Sequence, residues 1–220
     1  YEITPELIIR IKNANPQFYM EFLEESQEIQ KLTATSDVPI QSGLGSSASA
    51  AVALVAGLAK LKGQNLTQRE IVDKAWTIET EKLKLYGGKQ DQIAACYGGF
   101  NFIDFDRTGF TVHPYSRELS DWWSKRILLF FTGKTRENPK IQEELKELDI
   151  DKHSRLCTIR DIAIYGDELI QNRSFKLFAK LVNNSWIEKK KLNPLVTNKH
   201  IDKIYQTGIQ SGAKAGKLNG

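Results

Sequence analysis

The sequence PIQSGLGSSASAAVALVAGLAKLKG, residues 39–63, joins a glycine-rich turn to an apolar helix. Gly43 and Gly45 can take positive φ angles and let a ligand approach the backbone, while Ser46 and Ser47 suit the first helical turn. The helix that follows is nearly all Ala, Val and Leu, so we predict that it is buried on every side. Its N–H groups and positive dipole end favour an anion such as phosphate. The alternative is an ordinary strand-to-helix turn with a serine cap, because short glycine motifs also occur without a ligand.

Two acidic residues downstream of this turn are candidates for a catalytic site. Residues 67–70, TQRE, form a capping box and predict a helix that extends to residue 84. Glu79 lies on the apolar stripe of that helix, where a carboxylate is costly unless a partner neutralises it. We interpret Glu79 either as a ligand for Mg²⁺ or as a glutamate with an ordinary salt-bridge partner. Asp91 follows the glycine pair at 87–88 and lies in the first turn of a short helix, where the dipole favours an ionised acid.

We predict an α+β fold in two lobes, with a change from strands to helices near residue 135. The alternation in residues 28–35 indicates a strand before the glycine-rich turn. Residues 100–115 predict a β-hairpin, and the apolar run at 127–133, which does not alternate, predicts a buried strand. Three later segments have helical spacing: 153–171, 174–191 and 198–208.

Composition and charge exclude several classes of protein. The chain has 220 residues and a net charge of +4, and its basic and acidic residues are interspersed, so a nucleic-acid partner is not implied. The longest apolar run, residues 48–59, is shorter than the roughly 20 residues that a membrane span needs. Its two cysteines, Cys96 and Cys157, lie in predicted helices and do not suggest a disulfide framework. We therefore expect a cytoplasmic protein with neither nucleic-acid nor membrane partners.

Three segments resemble the signatures of the GHMP kinases, the superfamily of galactokinase, homoserine kinase, mevalonate kinase and phosphomevalonate kinase. Residues 39–48 resemble the second signature of that superfamily. Glu79 together with GGKQDQ at 87–92 resembles the segment that carries the metal-ligand glutamate and the catalytic aspartate. Residues 212–220 resemble the opening of the third, glycine-rich signature.

Within this superfamily, GGKQDQ, GGFNF at 98–102 and TGKTR at 132–136 are most similar to the bacterial heptose 7-phosphate kinases. The likeness implies a GHMP-kinase-like fold with ATP and magnesium between two lobes. The N-terminal lobe would be residues 1–118, similar to domain 2 of ribosomal protein S5, and the C-terminal lobe residues 119–220, a ferredoxin-like α+β unit. The first signature and its strands are absent and the third is cut short, so we expect a portion of a longer protein rather than a truncated relative.

The resemblance also implies a role for each candidate residue. The phosphates of ATP would be held by the backbone of five residues: Gly43, Leu44, Gly45, Ser46 and Ser47. Ser47 and Glu79 would hold the magnesium ion, and Asp91 would receive, or promote the loss of, the proton of the sugar hydroxyl. Three polar side chains would bind the substrate: Lys89, Gln90 and Arg136.

The activity that the resemblance implies is transfer of the γ-phosphoryl group of ATP to a hydroxyl of a sugar phosphate. The substrate it favours is D-glycero-D-manno-heptose 7-phosphate, phosphorylated at its anomeric hydroxyl. One alternative is a GHMP kinase for another alcohol such as galactose or mevalonate, against which Lys89 and Gln90 argue. The other is a catalytically silent relative that binds ATP or a sugar as a sensor; retention of Asp91, Glu79 and Ser47 argues against it. Whether the protein forms a homodimer stays open.

Overall fold

A computed structural model of the protein describes residues 42–84, 87–133 and 150–219. The chain divides into two compact units, Tyr1–Gly99 and Phe100–Gly220, and each is described by itself. The lobe limit that we place after residue 118 stays a prediction. The strand predicted at residues 28–35 lies outside the described residues.

The described part of the first unit contains three α-helices and one π-helical turn. In chain order these are α1 (Ser46–Leu61), α2 (Gln68–Thr77), the π-helical turn (Ile78–Lys82) and α3 (Gln90–Tyr97). The predicted capping box is confirmed, since Thr67 N donates to the Glu70 carboxylate at 2.7 Å and the Thr67 side chain accepts from Glu70 N. The predicted helix from this box extends without a break to Lys82, but its last five residues form the π-helical turn instead of α-helix.

Helix α1 is the centre of the core in this unit and contacts both α2 and α3. Its buried side chains pack against Ala75 of α2: Ala51, Val52, Leu54 and Val55. The prediction that α1 is buried on every side is wrong, because Ala53, Gly57 and Lys60 are exposed. Alanine and glycine present little apolar surface, so exposing this face costs little free energy.

The described part of the second unit consists of a hairpin followed by helices. Its elements are β1 (Asn101–Asp106), β2 (Gly109–Pro114), α4 (Arg117–Ser124), α5 (Ile150–Gln171), α6 (Phe175–Leu192), a 3₁₀ turn (Pro194–Val196) and α7 (Lys199–Gln210). The predicted hairpin is confirmed: β1 and β2 pair antiparallel, with Phe105 opposite Phe110 and Asp106 opposite Gly109 at the turn.

Aromatic side chains form the core of the second unit. Trp123 of α4 is 1% exposed, and its Nε1 donates to the carbonyl oxygen of Ile170 at 3.1 Å. Leu119 and Ile170 complete this buried cluster. A second cluster lies around Trp186 of α6, with Val196 and Ile201.

The buried strand predicted at residues 127–133 is wrong. Residues 127–131 belong to no strand, and the side chains of Leu128 and Phe130 are 80% and 70% exposed. A strand needs a neighbouring strand to pair with its N–H and C=O groups, whatever its own composition. Among the described residues, the one strand pairing joins β1 to β2. An apolar run therefore does not suffice here to make a strand.

A hydrogen bond joins the end of the hairpin to α5. Tyr115 Oη donates to Asp167 Oδ1 at 2.5 Å, and Gln171 Nε2 donates to the other oxygen of the same carboxylate at 2.9 Å. Burial, together with the hydrogen bond to Asp167 and its negative charge, raises the pKa of Tyr115 well above its ordinary value of 10.

This raised pKa predicts a loss of stability at alkaline pH. The unfolded protein ionises Tyr115 from about pH 10, whereas the folded protein keeps it protonated, so the stabilisation is complete below pH 10 and declines above it. We expect the free energy of unfolding of the wild type to exceed that of Tyr115→Phe at pH 8, and the difference to shrink by pH 11. Denaturant titrations at both pH values measure this. For the control Tyr165→Phe, at an exposed tyrosine of α5, the difference in free energy of unfolding from the wild type should be the same at both pH values. An equal decrease of that difference in Tyr165→Phe would contradict the assignment to Tyr115.

Candidate functional site

The N-terminus of α1 has the conformation that the glycine-rich turn predicts. Gly43 and Gly45 have φ angles of 76° and 69°, in the left-handed region that favours glycine. Gly45 is the N-cap residue, and no side chain of the described residues caps the helix, so the serine-cap alternative is wrong. The first intrahelical bond runs from Ser49 N to Gly45 O at 2.9 Å. The backbone N–H groups before Ser49 therefore point out of the helix toward any bound anion.

The carboxylate of Glu79 is buried beside this helix end. Ser47 Oγ of α1 donates to Glu79 Oε1 at 2.5 Å, and Gln92 Nε2 of α3 donates to Glu79 Oε2. Glu79 is 6% exposed, yet none of the described basic residues forms an ion pair with it. The alternative of an ordinary salt-bridged glutamate is thus not what the described structure shows. Two neutral donors hold the carboxylate and leave its charge uncancelled.

Glu79 lies where α2 gives way to the π-helical turn. Leu83 N donates to Ile78 O at 3.0 Å, the wide hydrogen bond of a π-helix. Such single wide turns are rare and are frequent at functional sites. The apolar stripe predicts the inward direction of Glu79, but the spacing of residues does not reveal the wide turn.

Asp91 lies against the same helix end. A Cβ atom placed on Gly45 would be 3.5 Å from both Cβ and Cγ of Asp91 and 3.6 Å from its Oδ2. Asp91 is exposed in the first turn of α3, whereas Glu79 is buried. The structure therefore brings the two predicted acids to one end of α1: Glu79 through Ser47, and Asp91 through Gly45.

The other predicted site residues are placed differently. Gln90 Nε2 lies 3.4 Å from Asp91 Oδ1, close to the acid. The ammonium group of Lys89 pairs with Asp73 at 2.6 Å and lies 4.6 Å from the ring centroid of Trp76. Its role in substrate binding stays a prediction. Arg136 lies outside the described residues.

Sequence reasoning missed Gln92. Its side chain is 5% exposed, and its Oε1 is buried without a hydrogen-bond partner. The available signal was its spacing from Ala95 and Cys96, which follow Gln92 by three and four residues and share its helix face against the core. Polar side chains on a buried helix face need partners, so a glutamine at this position indicates a buried hydrogen bond.

The donor set at this helix end fits a hard divalent cation and a phosphate. Hydroxyl and carboxylate oxygens, here from Ser47 and Glu79, are the ligands that Mg²⁺ prefers, usually in small number with water completing the shell. The described residues contain no group of three or more His, Cys, Asp or Glu side chains placed to bind a metal. The outward N–H groups of α1 suit phosphate oxygens.

Residues 11–99 match the protein family described as GHMP kinases N terminal domain. Over 192 residues the chain is 35% identical to a D-glycero-alpha-D-manno-heptose 7-phosphate kinase of Campylobacter jejuni subsp. jejuni. That match covers 84% of this chain and 56% of the relative, so the chain spans little more than half of the relative's length.

Two solved structures have a similar fold. A D-glycero-D-manno-heptose 1-phosphate kinase from Bacteroides thetaiotaomicron superimposes with a TM-score of 0.70 at 24% identity, covering 99% of this chain and 64% of that one. A structure described as a putative sugar kinase from Campylobacter jejuni superimposes with a TM-score of 0.68 at 29% identity. That match covers 96% of this chain and 63% of the other chain. These likenesses confirm the predicted α+β fold class.

Among the described residues, no helix combines the length and apolarity needed to cross a bilayer.

The contact between Gly45 and Asp91 gives a test of the helix end. In Gly45→Ala a residue with a side chain must adopt a positive φ, which costs about 1–2 kcal/mol, and the new methyl group contacts Asp91 at the helix end. We expect a lower free energy of unfolding and a weaker affinity for ATP, measured by denaturation and by calorimetric titration of the full-length protein.

Gly63→Ala is the matched control. Gly63 has a φ of 67°, but a Cβ there would meet nothing within 4 Å. This variant should lose a similar amount of stability and keep the ATP affinity of the wild type. Equal ATP affinities in the two variants would show that the helix end does not bind the nucleotide.

Proposed function

We propose that the protein is an ATP-dependent sugar kinase, because residues 11–99 match the family described as GHMP kinases N terminal domain. It transfers the γ-phosphoryl group to a hydroxyl of a sugar phosphate. We propose D-glycero-D-manno-heptose 7-phosphate as the substrate and its anomeric hydroxyl as the acceptor, supported by the 35% identity to the Campylobacter kinase of that name. We propose a cytoplasmic location, in keeping with the free thiols of Cys96 and Cys157.

One observation supports this function above the others: two acids of different exposure meet at one uncapped helix end. Glu79 is buried and held by two neutral donors, whereas Asp91 is exposed beside Gly45. Phosphoryl transfer can use this division of roles, in which one acid binds a cation and another faces the attacking hydroxyl. A protein that only binds ATP has no use for the second acid.

The first turn of α1 binds and orients the nucleotide in this proposal. The N–H groups of residues 46–48 donate to phosphate oxygens, and the positive dipole end of α1 opposes their charge. Gly43 and Gly45 let the phosphates approach the backbone closely. Leu44 and Ser46 contribute through their backbone.

Ser47 and Glu79 would hold Mg²⁺, which supplies positive charge to the oxygens of the transferred phosphoryl group. A serine hydroxyl has one proton and two lone pairs. Because Ser47 directs its proton to Glu79 Oε1, its lone pairs remain available to a cation. The carboxylate orients the hydroxyl of Ser47 and contributes its own negative charge to the site.

Asp91 accepts or draws away the proton of the sugar hydroxyl. Its place in the first turn of α3 puts its carboxylate beside the positive end of that helix dipole. Gln90 lies beside its carboxylate and helps to orient it. Lys89 and Arg136 are proposed to meet the phosphate already present on the sugar, Lys89 only after leaving Asp73.

Replacing the proposed base tests this mechanism. In Asp91→Asn the side chain keeps its shape but cannot accept the proton, so we expect kcat to fall by about 10²–10⁴-fold while ATP affinity changes little. An assay of ADP release on heptose 7-phosphate, galactose and mevalonate measures kcat and KM. The exposed Asp121→Asn in α4 is the control and should keep the wild-type kcat.

Each other outcome has a definite meaning. Wild-type turnover by Asp91→Asn would remove Asp91 from the mechanism. Preferred turnover of galactose or mevalonate would replace the proposed substrate. Tight ATP binding by the wild type with no turnover of any acceptor would favour the sensor.

A further inference from the structure

We propose that Gln92 is a positioning residue, which fixes the carboxylate of Glu79 in the direction that a divalent cation requires. The inference rests on the proposed function, since it concerns the proposed cation site. Gln92 lies in α3, Glu79 in the π-helical turn and Ser47 in α1. Each oxygen of the carboxylate receives a hydrogen bond from a different helix, Oε1 from Ser47 and Oε2 from Gln92. A carboxylate held at both oxygens cannot rotate about its terminal bond.

The chemistry of the donor matters as much as its position. A lysine or arginine in place of Gln92 would cancel the charge of Glu79 and compete with a cation for it. An amide N–H holds the carboxylate in place without neutralising it, so the full negative charge stays available. An ionised carboxylate accepts hydrogen bonds only, so Gln92 must present Nε2 and turn Oε1 away.

Burying Gln92 has a cost that simple packing does not explain. Its Oε1 has no hydrogen-bond partner, and leaving a buried acceptor unpaired is unfavourable. The neighbouring Ile93 fills its buried position with apolar atoms alone. A methionine at residue 92 would match the volume of the glutamine without an orphaned oxygen. The amide is therefore best explained by its bond to Glu79.

Gln92 also couples the two acids. It follows Asp91 directly in the first turn of α3, so one short helix carries both the proposed base and the group that holds the proposed metal ligand. A shift of α3 moves both together relative to the end of α1. Through Gln92, the geometry of the cation site and that of the base depend on the same helix.

The test measures cation binding directly, with Mn²⁺ as the probe. Full-length wild type and Gln92→Met are titrated with Mn²⁺ in the presence of a non-hydrolysable ATP analogue, and free Mn²⁺ is followed by electron paramagnetic resonance. Because loss of a residue that orients a metal ligand typically weakens binding about 10- to 100-fold, we expect a loss of that size in Gln92→Met. Gln92→Lys, which gives Glu79 a positive partner, should bind Mn²⁺ more weakly still.

Gln68→Met is the matched control. Gln68 Nε2 donates to the carbonyl oxygen of Cys96 at 3.2 Å, so it also joins α2 to α3, but its partner is a backbone carbonyl of Cys96 and not Glu79. It should keep the wild-type Mn²⁺ affinity, because its amide does not contact Glu79. Unchanged Mn²⁺ affinity in Gln92→Met, or an equal loss in Gln68→Met, would show that Gln92 serves only to pack the helices.

The two proposals fail in different ways. A wild type that binds Mn²⁺ with the nucleotide and phosphorylates a sugar, while Gln92→Met has unchanged Mn²⁺ affinity, overturns the role of Gln92 alone. A wild type that binds no Mn²⁺ with the nucleotide overturns the proposed cation site and, with it, the role of Gln92. In an active protein we also expect Gln92→Met to raise the Mg²⁺ concentration for half-maximal rate and to leave the KM for the sugar unchanged.

Discussion

The buried carboxylate of Glu79 is the constraint on which the rest of the site depends. A charge that is only 6% exposed needs hydrogen-bond donors in place of water, and the described structure supplies a serine hydroxyl and a glutamine amide. These donors come from α1 and α3, so the requirement of one side chain brings three elements together. The same arrangement leaves the end of α1 uncapped and places Asp91 beside Gly45.

In the first unit, the apolar core and the polar groups of the candidate site thus lie in different places. The core between α1 and Ala75 fixes the helix axes, and it uses small and branched apolar side chains. The polar groups lie at one end of that core, where backbone N–H groups have no intrahelical acceptor. Glycine at position 45 allows both the turn and the close contact with Asp91. The candidate site is therefore formed by the first turn of α1, and the rest of that helix stabilises the core.

The sequence was sufficient wherever a local rule decides the structure. The capping box at Thr67, the positive φ angles of Gly43 and Gly45, and the β1–β2 hairpin depend on a few neighbouring residues, and all three were predicted. Residues 127–131 were wrongly predicted, because a strand depends on a partner that composition does not supply. The π-helical turn and the bond from Gln92 to Glu79 were missed for a related reason: both depend on how separate helices pack. The proximity of Glu79 to Ser47 came from a family resemblance and not from spacing.

In the cation site that we propose, holding the carboxylate of Glu79 with neutral groups has a consequence for ion selectivity. A site that keeps its full negative charge attracts every hard divalent ion, so charge alone cannot distinguish Mg²⁺ from Ca²⁺ or Mn²⁺. Discrimination would have to come from rigidity: a carboxylate that cannot rotate disfavours the larger, irregular coordination shell of Ca²⁺ and accepts the compact octahedron of Mg²⁺. The two hydrogen bonds to Glu79 would then decide which ion is rejected.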